Sequence, residues 1–288
     1  MELHQLRYAL GVVDHGTFTA AAEACFVAQP SLSHAIRTLE RELGVELFAR
    51  IGRRTVLTAA GDAFVPPARE ALRALDTLRA DVDAVGGVVA GHLDLVALPT
   101  LAVEPVTPLV GAFRVGHPGV TIRLAHPEGT DELVELVRSG DSELGITELP
   151  VTAARITTMP LGRQELVAIL PPTQPPRARL DLAALAASPI VTQRPGTSTR
   201  DALDAALATV GATATIAVET DQREAIVPLV LAGAGAAVVP RPMAAVAERQ
   251  GAVVASLRPA LHRQLGLIHR DAPLSPAARA FIELARSR

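Results

Sequence analysis

Six side chains in one short stretch carry the most specific chemistry of this chain. VAQPSLSHAIRTLERELG (27–44) sets Gln29, Pro30, Ser31, Ser33, His34 and Arg37 along the first turns of a helix, where a core helix would start with apolar residues. Short amide and hydroxyl groups beside a guanidinium suit hydrogen bonding to base edges and phosphates. Gln29 reads as the N-cap and Pro30 as the first helical residue, where a missing N–H costs nothing. The free N–H groups of that tip and the positive end of the helix dipole favour a phosphate. The tip is therefore shaped to enter a major groove.

Other chemistries find little support. There is no H-E-x-x-H, no phosphate-binding P-loop and no nucleophile elbow, and the eight histidines are scattered. GAGAAVVP (233–240) holds only a Gly-x-Gly, and it follows a helix. We expect no catalytic residue, metal ligand or cofactor. The single cysteine, Cys25, excludes an internal disulfide framework and a cysteine-rich zinc site. It reads first as a small core hydrophobe. Its sharper reading is a redox switch, since oxidation would set a larger polar group beside the recognition helix.

The elements that must position these residues follow from periodicity. A helix is expected from about Leu3 to Asp14, with Leu6, Leu10 and Val13 on one face, and Thr17 caps a short second helix. In the third, Leu32, Ile36, Leu39 and Leu43 fall within about 40° of one another at 100° per residue and form the buried stripe. Pro30, His34, Arg37 and Arg41 lie opposite. Two short helices joined by a turn, the second polar at its tip, describe a helix-turn-helix. LFARIGRRTVL (47–57) reads as a hairpin carrying Arg53 and Arg54 at its tip, a wing that can touch the DNA backbone or minor groove. From 29 to 54, five arginines (37, 41, 50, 53, 54) stand against three glutamates (40, 42, 46), an excess of two positive charges. The signal is placement, not a basic run.

Thr58 should cap a long helix in which Ala68, Ala71, Leu75, Leu78, Val82 and Val85 alternate by three and four, a heptad seam suited to a second copy. The plain alternative is an amphipathic helix packed on its own domain. Pro66 and Pro67 should kink or interrupt it. GGVVAGH (86–92) reads as a linker. Beyond it strands and helices alternate, an α/β organisation with mostly parallel sheets. About 200 residues suit two lobes with a cleft between them. Thr100 (with Leu101 beside it), Thr130, Thr197, Ser198 and Gln222 stand at helix starts, and Thr147 and Glu148 follow a strand. As a set they could cradle a small polar effector such as a carboxylate. Each taken alone is a plain N-cap.

The composition fits a two- or three-domain protein: 288 residues, 49% hydrophobic, net charge −3. All 27 basic residues are arginine, so any anion contact uses a planar, bidentate group. No signal peptide is evident, and the longest apolar run (225–240) is too short to span a bilayer and contains Pro228. A cytoplasmic protein with no membrane partner is expected.

GTFTAAAEACFVAQPSLSHAIRTLERELGVELFARIGRRTVLTAAG resembles the N-terminal signature of the LysR-type transcriptional regulators. The resemblance lies in its ordered AA, QPSLS, I-R-x-L-E-x-x-L-G, LF-x-R and LT-x-x-G. HPGVTIRL, LVRSGDSELGI and LVLAGAGAAVVP are more loosely similar to the family's effector domain. The resemblance implies a winged helix-turn-helix over 1–58, a dimerising linker helix over 59–88, and a two-lobed effector domain of the type II periplasmic-binding kind over 89–288. Lobe I would take about 91–160 and 265–288, and lobe II about 161–264. It further implies a homodimer or homotetramer on an interrupted inverted repeat of double-stranded DNA, with RNA polymerase as a further partner. Gln29, Pro30 and Ser33 match the family's DNA-contacting positions, and Arg53 and Arg54 its wing. The competing expectations are a regulator whose input is redox state at Cys25, and a small-molecule-binding protein or enzyme whose N-terminal unit serves only for assembly.

Overall fold

The computed structural model describes residues 1–51, 54–84, 89–127 and 129–287. Three helices and a hairpin form the N-terminal unit: α1 (Leu3–His15), α2 (Phe18–Ala24), α3 (Gln29–Leu43), β1 (Phe48–Ile51) and β2 (Arg54–Leu57). Thr17 caps α2 by accepting from the Ala20 amide at 3.1 Å. In α1, Val12 is buried beside Leu6 and Leu10, and Val13, expected on that face, is half-buried. Leu32, Ile36 and Leu39 of α3 are buried, as its period requires. Leu43 is 40% exposed, because α3 ends one residue later at Gly44, in the left-handed region (φ 72°). The N-cap of α3 is Ala28, not Gln29. The Ala28 carbonyl accepts from the Ser31 and Leu32 amides, so Gln29 and Pro30 occupy the first two helical positions. The proline still falls among the amides that have no intrahelical acceptor.

The hairpin is pinned to α3 by Glu40, whose Oε1 accepts from the Leu47 amide at 2.8 Å and the Phe48 amide at 3.3 Å. β1 and β2 pair antiparallel from Phe48–Leu57 to Ile51–Arg54. Thr58 then caps α4 (Ala59–Ala84), accepting from the Gly61 amide while donating to the Glu46 carbonyl. Gly61 is required here: a Cβ would lie 2.2 Å from the Leu47 carbonyl oxygen.

Pro66 and Pro67 do not interrupt α4, which runs unbroken through both. They lie within its first turns, where the burial of Phe64, Val65, Ala68 and Leu72 against Leu6 and Leu10 of α1 offsets the two lost amide donors. Ala68, the first position of the expected seam, is spent on α1, and further along the helix the seam is increasingly open among the described residues. Ala71 is exposed and Leu75 half-buried, while Leu78 and Val82 are 59% and 65% exposed. Val85, the last seam position, lies outside the described residues.

The C-terminal part is built on a curled sheet in the order β10-β6-β11-β5-β3-β4, with β7 beside β11. Its strands are β3 (Gly91–Ala97), β4 (Val120–Ala125), β5 (Leu144–Leu149), β6 (Ile156–Leu170), β7 (Arg179–Asp181), β10 (Ala237–Pro240) and β11 (Val253–Arg270). A separate parallel pair joins β8 (Pro189–Thr192) to β9 (Thr215–Glu219). The expected predominance of parallel strands is corrected. β11 runs antiparallel to β5 and β6, and β6 antiparallel to β10. Two long strands, β6 and β11, cross between the lobes as a ribbon. Its register shifts between Ser256 and Leu261 and again between Leu265 and Gly266.

In lobe I, α6 (Thr107–Gly116), α7 (Thr130–Ser139) and α12 (Pro276–Arg286) cover the sheet, with Phe113 and Phe281 meeting at 5.3 Å between ring centroids. The helical stretch that follows β3 is broken. A short α5 (Pro99–Leu101) and a π-type turn (Ala102–Val106) precede α6, because Pro105 drives Glu104 to extended geometry (φ −150°). Lobe II is covered on both faces. Leu166, Ala168 and Leu170 of β6 join the core beneath α8 (Leu182–Ala186) and α9 (Ser198–Thr209). Val167 and Ile169 join the opposite core, beneath α10 (Ile226–Leu231) and α11 (Arg241–Arg249). The run LVAIL is thus apolar throughout because the period of two feeds two cores. α8, α11 and β7 are unforeseen by the sequence. The helix expected from Gln222 begins as a 3-10 turn (Arg223–Ala225) before α10.

Candidate nucleic-acid interface and effector cleft

At the tip of α3, Pro30, Ser31, His34 and Arg37 are exposed, and Gln29 and Ser33 are half-buried. Gln29 Nε2 donates to Ser33 Oγ at 2.8 Å, which sets the two on one face a turn apart. Arg37 Nε donates only to the Ser33 carbonyl, at 3.2 Å, so its charge meets no carboxylate among the described residues. Two of the three neighbouring glutamates are turned to other work. Glu40 holds the hairpin, and Glu42 pairs with the N-terminal ammonium. The face is therefore more positive than the residue count suggests. Arg54 opens β2, and Arg53 lies outside the described residues.

Phe26, in the turn ahead of α3, was not singled out from sequence. Its φ is 55°, a left-handed conformation that costs a bulky residue about 1–2 kcal/mol. Its side chain is 95% exposed. Cys25, just before it, is half-buried and packs on α1: a Cβ on Gly11 would lie 3.2 Å from its Sγ. Thus its placement is that of a small core side chain.

Between the lobes, the residue that organises the cleft is Arg263, on the crossing strand β11 and only 2% exposed. Its guanidinium donates to Gln164 Oε1 (Nε, 2.9 Å; Nη2, 2.5 Å), to Ser198 Oγ (Nη1, 2.8 Å) and to Thr100 Oγ1 (Nη2, 2.9 Å). Thr100 belongs to lobe I and Ser198 to lobe II, so one side chain ties both lobes to the ribbon. Ser198 in turn donates to Glu148 Oε2 at 2.7 Å. Burial lowers the Arg263 pKa to about 10, partly opposed by Glu148. Arg223, at the start of the 3-10 turn, is likewise lowered by burial, and its charge adds to the burden on Arg263. It donates to Gln193 Oε1 at 3.2 Å.

The other expected effector residues divide. Thr147 is fully buried, and its hydroxyl lies 3.5 Å from that of Thr130. Thr197 lines the cleft and donates to the Arg194 carbonyl at 2.9 Å. Leu101 is fully buried in the lobe I core, and Gln222 is exposed and outside the cleft lining, so neither joins the set. Simple capping does not account for the hydroxyls. The N-caps of α5 and α7 are Leu98 and Gly129, and Thr197, the N-cap of α9, makes no capping bond. An open cleft of ≈ 780 Å³ adjoins them, and its lining includes Thr100, Gln164, Thr197 and Arg223 together with the apolar Val103, Val227 and Met243. Sequence reasoning missed Arg263, Gln164 and Arg223. An arginine inside an otherwise apolar strand pattern, ALHRQLGLIH, was the available signal.

Comparison with known proteins agrees with this geometry. The family described as the LysR substrate binding domain matches residues 86–288, and the bacterial regulatory helix-turn-helix protein, lysR family, matches residues 3–62. The chain is 30% identical to the HTH-type transcriptional regulator IlvR of Caulobacter vibrioides over 99% of its length and 97% of the relative's. Among solved structures it resembles a full-length OxyR variant from Pseudomonas aeruginosa, with a TM-score of 0.79 and 27% identity, covering 100% of this chain and 94% of that one. It also resembles full-length CbnR complexed with its target DNA, with a TM-score of 0.71 and 27% identity, covering 100% and 99%.

Proposed function

The chain belongs to the LysR family of bacterial transcriptional regulators, and from that premise we propose that it answers to a small carboxylate held where its two lobes meet. It is a DNA-binding regulator with a winged helix-turn-helix and an effector-binding domain, and it acts as an oligomer. Gln29, Pro30, Ser31, Ser33, His34 and Arg37 form the face that reads one half-site of an interrupted inverted repeat, with Arg53 and Arg54 on the wing. A second copy, joined along the α4 seam, reads the other half-site. The reading gives the protein a cytoplasmic setting and no reaction of its own. Its relatives are regulators, and no described helix is long and apolar enough to cross a membrane.

The observation that carries the carboxylate is Arg263. A guanidinium buried at the junction of two lobes, bonded directly to neutral oxygens, reached by Glu148 only through Ser198 and crowded by Arg223, can take further negative charge. The Thr199 hydroxyl nearby is buried without a partner. Arg223 lines the cleft beside it and can give a carboxylate bidentate bonds, and Val103, Val227 and Met243 in the same lining suit a short hydrocarbon body.

The test is a thermal-shift and calorimetric survey of small mono- and dicarboxylates, each paired with its amide. Carboxylates are expected to raise the melting temperature, the amides not, and an Arg223→Gln protein should lose the response. Equal stabilisation by acid and amide would overturn the assignment. A redox input has less support, since it would rest on Cys25 alone.

A further inference from the structure

We propose that Phe26 is a DNA-contacting residue, a large apolar member of a mostly polar reading face. Its ring meets the duplex at an apolar patch, a deoxyribose or a thymine methyl, at the edge of the groove that α3 enters. The inference rests on the DNA-binding reading of α3 and adds a contact to it.

Three observations combine. First, the ring does nothing for the fold. The turn is held by its backbone, with the Phe26 amide donating to the Glu23 carbonyl at 3.1 Å and the Val27 amide to the Ala22 carbonyl at 2.9 Å. Val27 packs against the core, and the next side chain back along the chain, Phe26, is 95% exposed. Second, the position is costly for this residue. At φ 55° glycine or asparagine would sit without strain, and a bulky aromatic sits with it. A fold selected for stability alone would not place phenylalanine there. Third, the turn adjoins the reading face. Phe26 precedes Gln29 by three residues, so its Cα lies within about 11 Å of the helix tip. Direct readout of thymine uses an apolar contact with its methyl group, and on the reading face only the small Pro30 ring is apolar, the one aromatic there being the polar His34 imidazole. A second protein copy is the weaker occupant, because the exposed apolar stripe of α4 already provides for that.

The experiment uses full-length protein and a duplex enriched by the wild-type chain from a random-sequence pool. Failure to enrich any sequence would sink the DNA reading itself, separately from Phe26. Phe26→Asn and Phe26→Leu are compared with Arg37→Ala by fluorescence anisotropy across a salt series, with melting temperature and oligomeric state measured alongside. Phe26→Asn should melt at or above the wild-type temperature, bind about five- to tenfold more weakly, and keep the wild-type slope of log affinity against log salt. Phe26→Leu should recover part of the loss. Arg37→Ala should flatten the slope by about one instead. Replacing thymine by uracil separates the two contacts: a loss confined to the wild-type protein assigns the methyl, and no loss assigns the sugar. Binding by Phe26→Asn within twofold of wild type overturns the proposal. So does a loss that tracks a change in oligomeric state, which would give the ring to a contact between copies.

Discussion

Replacing Arg263 by methionine sets two large terms against each other. Burial lowers the guanidinium pKa from its ordinary value to about 10. At 1.36 kcal/mol per unit, holding the charge costs about 3 kcal/mol relative to the unfolded chain. The sign follows from linkage. The unfolded state binds the proton more tightly, so this penalty is present at every pH below about 10 and is relieved only as pH rises from there towards the ordinary guanidinium range. Methionine removes the charge and fills much of the same volume. It also removes four bonds, two to Gln164 and one each to Ser198 and Thr100, at about 1 kcal/mol each. Gln164 keeps its bond to the Glu104 carbonyl, and Ser198 keeps Glu148, so few groups are left wholly unsatisfied. The terms nearly cancel, and Arg263→Met should change stability by less than about 2 kcal/mol while abolishing stabilisation by carboxylates. Urea denaturation at pH 7 measures the first and a ligand thermal shift the second. A loss above about 4 kcal/mol with an unchanged urea slope would refute the reasoning. Arg263 would then be a structural clamp whose hydrogen bonds outweigh its desolvation.

Glu40→Ala should free the hairpin from α3, costing about 1.5–3 kcal/mol for a charged acceptor that serves two amides, and should weaken DNA binding. Chemical denaturation with parallel anisotropy reads both effects. Leu78→Asp with Val82→Asp places two charges on the exposed stripe of α4 and should yield a folded monomer by light scattering. A protein that keeps its wild-type mass would show that α4 does not make the dimer. Cys25→Ser should leave the response of DNA binding to peroxide unchanged, since Cys25 packs as a core side chain against α1. A response that vanishes in the serine protein would restore the redox reading.

What could be read in advance tracks how local each cause is. Leu32, Ile36 and Leu39 announced α3 because a helix is set by neighbours three and four residues away, and Thr17 and Thr58 announced their helices by capping. The first half of β6 escaped notice because ITTMPLGRQE carries Pro160 and Gly162, which read as loop, although pairing with β11 holds it extended. Arg263 was invisible for a related reason. Its importance comes from Thr100, 163 positions away, and Ser198, 65 positions away, meeting on one strand. Leu101, carried by its neighbour Thr100, lies in the lobe I core, and Gln222, chosen because it opens a helix, faces solvent: neither adjacency nor a helix start says which way a side chain faces. Phe26 could have been noticed as an aromatic in a tight turn, but its backbone strain appears only in the fold.

The lobes are joined by a pair of hydrogen-bonded strands, β6 and β11, and this has a mechanical consequence. Slack tethers would let two bodies drift through a wide range of orientations. A ribbon laced edge to edge resists sliding and yields mainly by winding, most readily at its two breaks in register, and Arg263 sits between those breaks. The protein is thus built as a torsion bar with Arg263 at its midpoint, and the ribbon restores the starting angle once the load is released.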